Sequence, residues 1–273
     1  MTVIERLIIS VLFISVNLFS QKNPVIIDTT RIIDHTPRTV LNNAFQTGEY
    51  LHFSVNYGFI TAGYATIEVS KEDTIRDREC YVLKTTARSH EAFDWIFKVR
   101  DKTYSYLDKE RFHSLLFSKR LREGSYKYDV DVEFFQENGY ARIGSKRYRD
   151  DKTTEKEKII EVPYNVADAL SALYYVRTMD LKVGDEYVFP AIDSKKPYDI
   201  KVIVHKREKI EVDAGEFDCF VVEPVMADGG VFKKDGKIMV WLTADDKKMP
   251  VKMSSKVYIG SIEAELDKYR ISK

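Results

Sequence analysis

The chain has 273 residues, with 43 Lys plus Arg balanced by 43 Asp plus Glu, so its formal net charge is zero. That balance excludes the basic excess a nucleic-acid partner would select. The 17 Tyr and 15 Phe favour strands with amphipathic faces, and the length suits one large β domain or two small ones.

The first element is "MTVIERLIISVLFISVNLFSQ". A basic head with Arg6, the apolar run Leu7 to Phe19 and then Ser20 and Gln21 have the order of a secretory signal peptide. The run is shorter than the about 20 apolar residues of a membrane span, which leaves a retained anchor as the lesser alternative. Residues 1–20 are therefore expected to be a signal peptide cleaved after Ser20, residues 21–43 an arm or linker, and residues 44–271 a single β-rich domain. No Cys lies near the cleavage point, which disfavours a lipid anchor, and no later segment is apolar enough to span a membrane. The mature chain is expected to be exported, periplasmic or extracellular, without a transmembrane segment.

From Gln46 onward the period is two. Leu51, Phe53, Val55 and Tyr57 alternate with polar residues, and Ala65, Ile67 and Val69 continue the pattern. This predicts an antiparallel hairpin whose turn is bracketed by Gly58 and Gly63. "CYVLKTTARS", "FKVRDKTYSYLD" and "FHSLLFSKRL" read as further strands. In "SYKYDVDVEFF", Tyr126, Tyr128, Val130, Val132 and Phe134 share one face, and Lys127, Asp129, Asp131 and Glu133 the other. "ENGY" supplies a hairpin turn before "ARIGSKRYRDD". The charged "RDDKTTEKEK" reads as a solvated loop.

A lone helical pattern follows. Asn165 is placed to cap it, with Asp168 three residues on as a near capping box. Val166, Ala169, Leu170, Leu173 and Val176 or Arg177 form an apolar stripe, and Asp168, Ser171, Ala172, Tyr175 and Met179 the opposite side. The helix is expected to cover the concave side of the β layer, with Leu170 and Leu173 inward and Tyr175 outward. Five more strand segments close the chain, with turns at Ala214–Gly215, Asp245–Asp246 and Gly260. In "KIMVWLTADD" both faces are apolar, which predicts a central strand covered on both sides, with Trp241 buried. The fold class is all-β, mainly antiparallel: a curved open barrel or a two-sheet sandwich with one helix on the concave face.

Zinc-protease, thiol-redox, nucleophile-elbow, phosphate-loop and dinucleotide patterns do not occur. "RSHEAFDW" gathers Ser89, His90, Glu91 and Asp94, but neighbours on a strand point to opposite faces, so it reads as a strand end and loop. Asp129, Asp131 and Glu133 read as an exposed strand face rather than a calcium site. Catalytic, cofactor-binding and metal-ligating residues are accordingly assigned to none, and no cofactor is expected. Cys80 and Cys219 sit in apolar strands, where a disulfide and two buried thiols are both open. The candidate cavity lining is Leu170, Tyr174, Arg177, Tyr126 and Tyr128.

The order of "GEYLHFSVNYGFITAGYATIEV", "TTARSHEAFDWIFKVRDKTYSYLD", "DALSALYYVRTMDLKVGD", "VDAGEFDCFVVEP", "VWLTADDKKMPVKM" and "YIGSIEAEL" resembles the exported bacterial family known as domain of unknown function 3108. The likeness runs from about Gln46 to Leu266. It is carried by Gly48, Glu49, Gly63, Ser89, Asp101, Leu170, Ser171, Arg177, Gly184, Gly215, Trp241, Thr243, Asp245 and Pro250. The resemblance implies a secreted or periplasmic β-rich protein and no particular activity. By analogy with open barrels that carry apolar cargo, the expected function is a non-enzymatic cell-envelope binding module for a lipid-like, apolar or amphipathic ligand. The alternatives are a structural or assembly factor with an envelope protein partner, and an envelope hydrolase.

Overall fold

The computed structural model of the chain describes residues 38–149, 152–193, 196–226, 238–256 and 260–271. The expected signal peptide, and most of the arm, lie outside the described residues. The rest is one antiparallel sheet of fourteen strands. These are β1 (Tyr50–Tyr57), β2 (Ile60–Ile75), β3 (Arg78–Ser89), β4 (Arg100–Asp108), β5 (Ser114–Glu123), β6 (Tyr126–Phe135), β7 (Tyr140–Arg149) and β8 (Lys152–Glu161). After the helix α1 (Ala169–Val176) come β9 (Glu186–Ile192), β10 (Pro197–Val212), β11 (Gly215–Met226), β12 (Ile238–Thr243), β13 (Pro250–Lys256) and β14 (Ser261–Arg270).

The spatial order is β8-β7-β6-β5-β4-β3-β2-β1-β14-β13-β12-β11-β10-β9. Two meanders are thus joined by the pairing of β1 with β14. The sheet curls until its two wings share one core. Leu51, Val69, Leu83 and Leu107 from one wing pack in the same cluster as Val202, Val222, Val240 and Leu242 from the other. The helix lies inside this curl, and its Leu170, Ala172, Tyr174 and Val176 belong to that cluster. A fold with two packed sheets is therefore replaced by the other expected form, an open barrel closed on a helix.

Close backbone approach is visible at Gly63, inside β2 rather than in the turn, where an added Cβ would stand 2.4 Å from the Arg88 carbonyl oxygen. The hairpin turn itself is Gly58–Phe59 between β1 and β2. The "ENGY" turn forms as expected, with Gly139 left-handed at φ 72°. The charged stretch read as a loop is strand β8, paired along its length with β7 and otherwise solvent-facing. Its Lys and Glu residues suit an edge, where charge discourages pairing with other chains.

The ends of the barrel differ. At one end the segment after β8 crosses the gap toward β9. Val166 O accepts from Ser114 N and from the Gln136 amide, and Ala167 N donates to Pro190 O. Val162, Val166 and Ile192 pack there with Val132, Phe134, Ala141 and Ile143 in a second apolar cluster. The other end carries the β1–β2, β3–β4 and β5–β6 turns, with Phe59 and Trp95 exposed.

β12 is central, between β11 and β13. Trp241 lies on the outer face, opposite Lys252, and is half-buried rather than buried. Its cover is the distal β10–β11 hairpin, which folds across the outside: Trp241 Nε1 donates to Glu208 at 2.8 Å, and Ala214 N to Leu266 O at 3.1 Å. Cys80 and Cys219 are buried free thiols, both pushed up by burial.

Candidate functional site

The helix interior is the more densely connected region. Asp168, not Asn165, is the N-cap, its carboxylate accepting from Leu170 N and Ser171 N. Its other oxygen accepts from the Ser105, Ser114 and Ser171 hydroxyls at 2.6–3.1 Å, tying α1 to β4 and β5. At the opposite end of α1, Arg177 donates to both oxygens of Glu49 at 2.6 and 2.7 Å, and Tyr174 donates to Glu49 at 3.0 Å. Arg177 Nε also reaches Lys247 O. Arg177 and Tyr174 are 0% exposed and Glu49 1%. Of the expected cavity lining, Leu170, Tyr174 and Arg177 are thus brought together, but as enclosed core. Ser171 and Ala172, assigned to the open side, are buried too, and Leu173 is half-buried. The reason is that α1 sits within the curl, so the sheet and the chain before β1 enclose most of its sides.

Tyr126 and Tyr128 lie elsewhere, on β6, with ring centroids 6.2 Å apart. Both project from the inner face, as the register shows. Directly opposed residues share a face, and one row runs Leu51, Ile67, Thr85, Thr103, Lys119, Val130, Ser145, Lys156. It begins in the core and ends at the open edge. Glu123 opposes Tyr126 one turn of the pleat away, and Leu121 opposes Tyr128.

This inner face of β3–β6 is polar as well as buried. Thr85 and Thr103, 3% and 1% exposed, have hydroxyl oxygens with no hydrogen-bond partner among the described residues. Asp101 and Glu123, both 5% exposed, are hydrogen-bonded to each other. Asp101 also accepts from Arg122 N at 2.7 Å. Burial, then the neighbouring Asp101 charge, pushes the Glu123 carboxyl up to about 8. Burial likewise raises Asp101 and lowers Lys119, whose ammonium is drawn the other way by both acids. Two acids that share one proton beside a lysine form a nearly neutral, hydrogen-bond-rich floor. Their direct contact is closer than either spacing that glycosidases use.

Sequence reasoning missed Asp101, Glu123, Lys119, Thr85 and Thr103. A signal did exist: the period of two in "SLLFSKRLRE" sets Lys119, Leu121 and Glu123 on one face, a placement that charged residues on an outer face would not need.

Ser89 and Asp94 are joined, with Oγ to Oδ1 at 2.5 Å, but the third member is Arg100, which pairs with Asp94 at 2.5 Å. His90 instead caps a single 3-10 turn, Glu91–Phe93. The cluster is a loop anchor. Asp129 and Asp131 pair with Arg122 and Arg120 across the outer face.

Among solved structures, a beta-barrel-like protein of the domain of unknown function DUF1849 from Brucella abortus is similar, with TM-score 0.54 and 12% identity over 87% of this chain and 100% of that one. A Bacteroides fragilis protein assigned to export and to a YmcC-like fold has TM-score 0.34 and 12% identity over 86% of this chain and 100% of its own. At such identities only the first likeness speaks, and it speaks to fold. No curated protein matches the sequence. The family model for proteins of unknown function DUF3108 matches residues 52–267, from the second residue past the start of β1 almost to the end of β14, so the sheet and its enclosed helix are the family's own unit and the chain belongs to DUF3108.

Proposed function

We propose that this protein is an exported binding protein of the cell envelope, and that it holds an amphipathic ligand against the inner face of β3–β8. The observation that carries the reading is the pair of buried, unpartnered hydroxyls of Thr85 and Thr103, adjacent in one cross-strand row. A buried polar group without a partner is rare and costly, and a ligand or ordered water at that face is the usual remedy. Asp101, Glu123 and Lys119 add donors and acceptors beside it, while Tyr126, Tyr128 and Val130 supply apolar surface. A few polar groups set in an apolar concave wall are the make-up of small-molecule sites. Export rests on the signal-like residues 1–20.

The test is native mass spectrometry of protein taken from the envelope fraction without detergent, followed by solvent extraction. The expected result is a mass adduct that extraction removes and that Thr103→Val weakens. A protein of bare polypeptide mass, in a crystal structure with Thr85 and Thr103 bonded to ordered water alone, would overturn the reading.

A second reading, an assembly factor working through surface contacts, is favoured by Phe59 and Trp95, which stand 109% and 83% exposed on neighbouring turns. Photocrosslinking from position 95 in whole cells tests it: a discrete crosslinked envelope protein supports it, and none counts against it.

A further inference from the structure

The charge on β8 is sorted by face. Its residues alternate so that Lys152, Thr154, Lys156, Lys158 and Ile160 take one face and Thr153, Glu155, Glu157, Ile159 and Glu161 the other. The register with β7 identifies the faces. Ile143 and Ala141, buried in the inner cluster, oppose Lys158 and Ile160. Arg147 and Arg149 oppose Thr154 and Lys152. The concave side of this wing therefore carries Arg147, Arg149, Lys152, Lys156 and Lys158, and no acidic residue of either strand. The convex side is mixed and self-paired, as between Lys146 and Glu155 at 2.7 Å.

The concave side is also graded along the strands. At the closed end Phe134, Val132, Ala141 and Ile143 are buried under Val162, Val166 and Ile192 in one apolar cluster, with Ile160 packed against it and Lys158 at its exposed edge. Toward the turn end it becomes Tyr128 and Tyr126, then the cations, with the Arg147 guanidinium 5.3 Å from the Tyr126 ring centroid. Inward-pointing lysines on a solvated edge strand are a known guard against edge pairing. That guard does not require the arginines of the inner neighbour β7, nor the apolar-to-cationic gradient.

We infer that the ligand of the inner face is an anionic amphiphile, seated with its acidic headgroup among Arg147, Arg149, Lys152 and Lys156 and its apolar part against the half-buried Tyr126 and Tyr128 rings. The inference rests on the binding-protein reading above and adds headgroup sign and orientation to it. Guanidinium and ammonium donors gathered on one exposed face form charge-assisted hydrogen bonds with phosphate or carboxylate oxygens. The half-buried Tyr126 and Tyr128 rings beside the cations favour a molecule with an apolar part over a free anion.

The test uses the full mature protein and four probes below their micelle concentrations, by calorimetry: decyl phosphate, decyl glucoside, decyltrimethylammonium and inorganic phosphate. Decyl phosphate is expected to bind at least about tenfold tighter than the other three. The concave double variant Lys152→Glu with Lys156→Glu should lose about tenfold or more of that affinity. The convex pair Glu155→Lys with Glu157→Lys should keep wild-type affinity, and both should melt like wild type because all four residues are exposed. Equal binding of the phosphate and glucoside amphiphiles, or indifference to the concave reversal, overturns the headgroup assignment and leaves the binding reading standing. Inorganic phosphate binding as tightly as decyl phosphate overturns the amphiphile. Binding of none of the four overturns both readings.

Discussion

Arg177 and Glu49 are the residues whose loss the fold should feel most. Both ions are withdrawn from water and, among the described residues, bond to each other and to a few local groups, Tyr174 and the Lys247 and Ala44 carbonyls. Removing one partner strands a buried charge, so Glu49→Gln should cost about 3–5 kcal/mol in urea unfolding. The double change Glu49→Leu with Arg177→Met should cost less than either single change, since a pair replaced by apolar side chains leaves nothing unpaired. A double variant weaker than both singles would show that the pair supplies stability beyond mutual compensation. Thr103 makes the opposite kind of case. Its buried hydroxyl has no partner, so Thr103→Val should leave ligand-free stability unchanged or raise it by about 1 kcal/mol while weakening ligand capture. A clear loss of ligand-free stability would mean that water already satisfies the hydroxyl. Neither role is readable from sequence. Glu49 precedes β1 and Arg177 follows α1, 128 residues apart, and no local pattern announces that they meet.

The elements were more legible than their contacts. Alternation locates most strands because one face of each is buried, whereas β12 is read from apolar residues on both faces. It fails at β8, where neither face is buried: Ile160 opposes Ala141 on the inner side, but the rest of the strand is solvent-facing. The pattern that survives there is charge alternation, Lys on one side and Glu on the other, and it carries the strand signal that hydrophobicity lacks. The helix was misread for the converse reason. A stripe describes a helix buried on one side, whereas α1 is enclosed by both wings and the chain before β1. Its apolar and small residues face the core on most sides. Tyr174, 0% exposed and bonded to Glu49, is more deeply held than Leu173, which was expected inward and is half-buried. Tyr174→Ala should destabilise by about 3–5 kcal/mol and Leu173→Ala, half-buried, by about 1–2 kcal/mol in thermal or urea unfolding. Trp241 follows the same logic at the β10–β11 overhang. With one side under Glu208 and the other edge wet, Trp241→Ala should cost about 2 kcal/mol, below the full aromatic loss. Equal losses at Tyr174 and Leu173 would mean that the Glu49 bond adds nothing.

At the scale of the whole molecule, the buried titratable groups pull the pH profile in two directions. His113, 1% exposed, is held down to about 4 by burial, which the Asp108 carboxylate only partly offsets. Asp108 itself is lowered, its own burial being outweighed by Arg78 and the Arg111 N–H. Between about pH 6.5 and 4 the unfolded chain binds a proton at this histidine that the folded chain does not, so stability falls as pH falls through that window. Glu123, pushed up to about 8, acts in reverse. Between about pH 4.5 and 8 the folded chain holds a proton that the unfolded chain has released, so stability falls as pH rises. The two limbs overlap between roughly pH 4.5 and 6.5, where their slopes oppose and the profile flattens. Each limb belongs to a different part of the fold, and single substitutions separate them. Glu123→Gln, which keeps the shape of the carboxyl and removes its titration, should raise the melting temperature at pH 8 and change it little at pH 4.5. His113→Leu should flatten the acid limb and leave the alkaline one. An anionic ligand seated on the adjacent cationic wing adds a third effect. Binding near Glu123 favours its neutral form, so decyl sulfate, whose single charge is fixed across this range, should bind more tightly at pH 6 than at pH 9 in the wild type, and with a shallower pH dependence in Glu123→Gln. Melting curves from pH 4 to 9, with and without the probe, measure all three. A wild-type probe affinity that rises toward pH 9 would separate the carboxyl pair from the ligand and confine it to the scaffold.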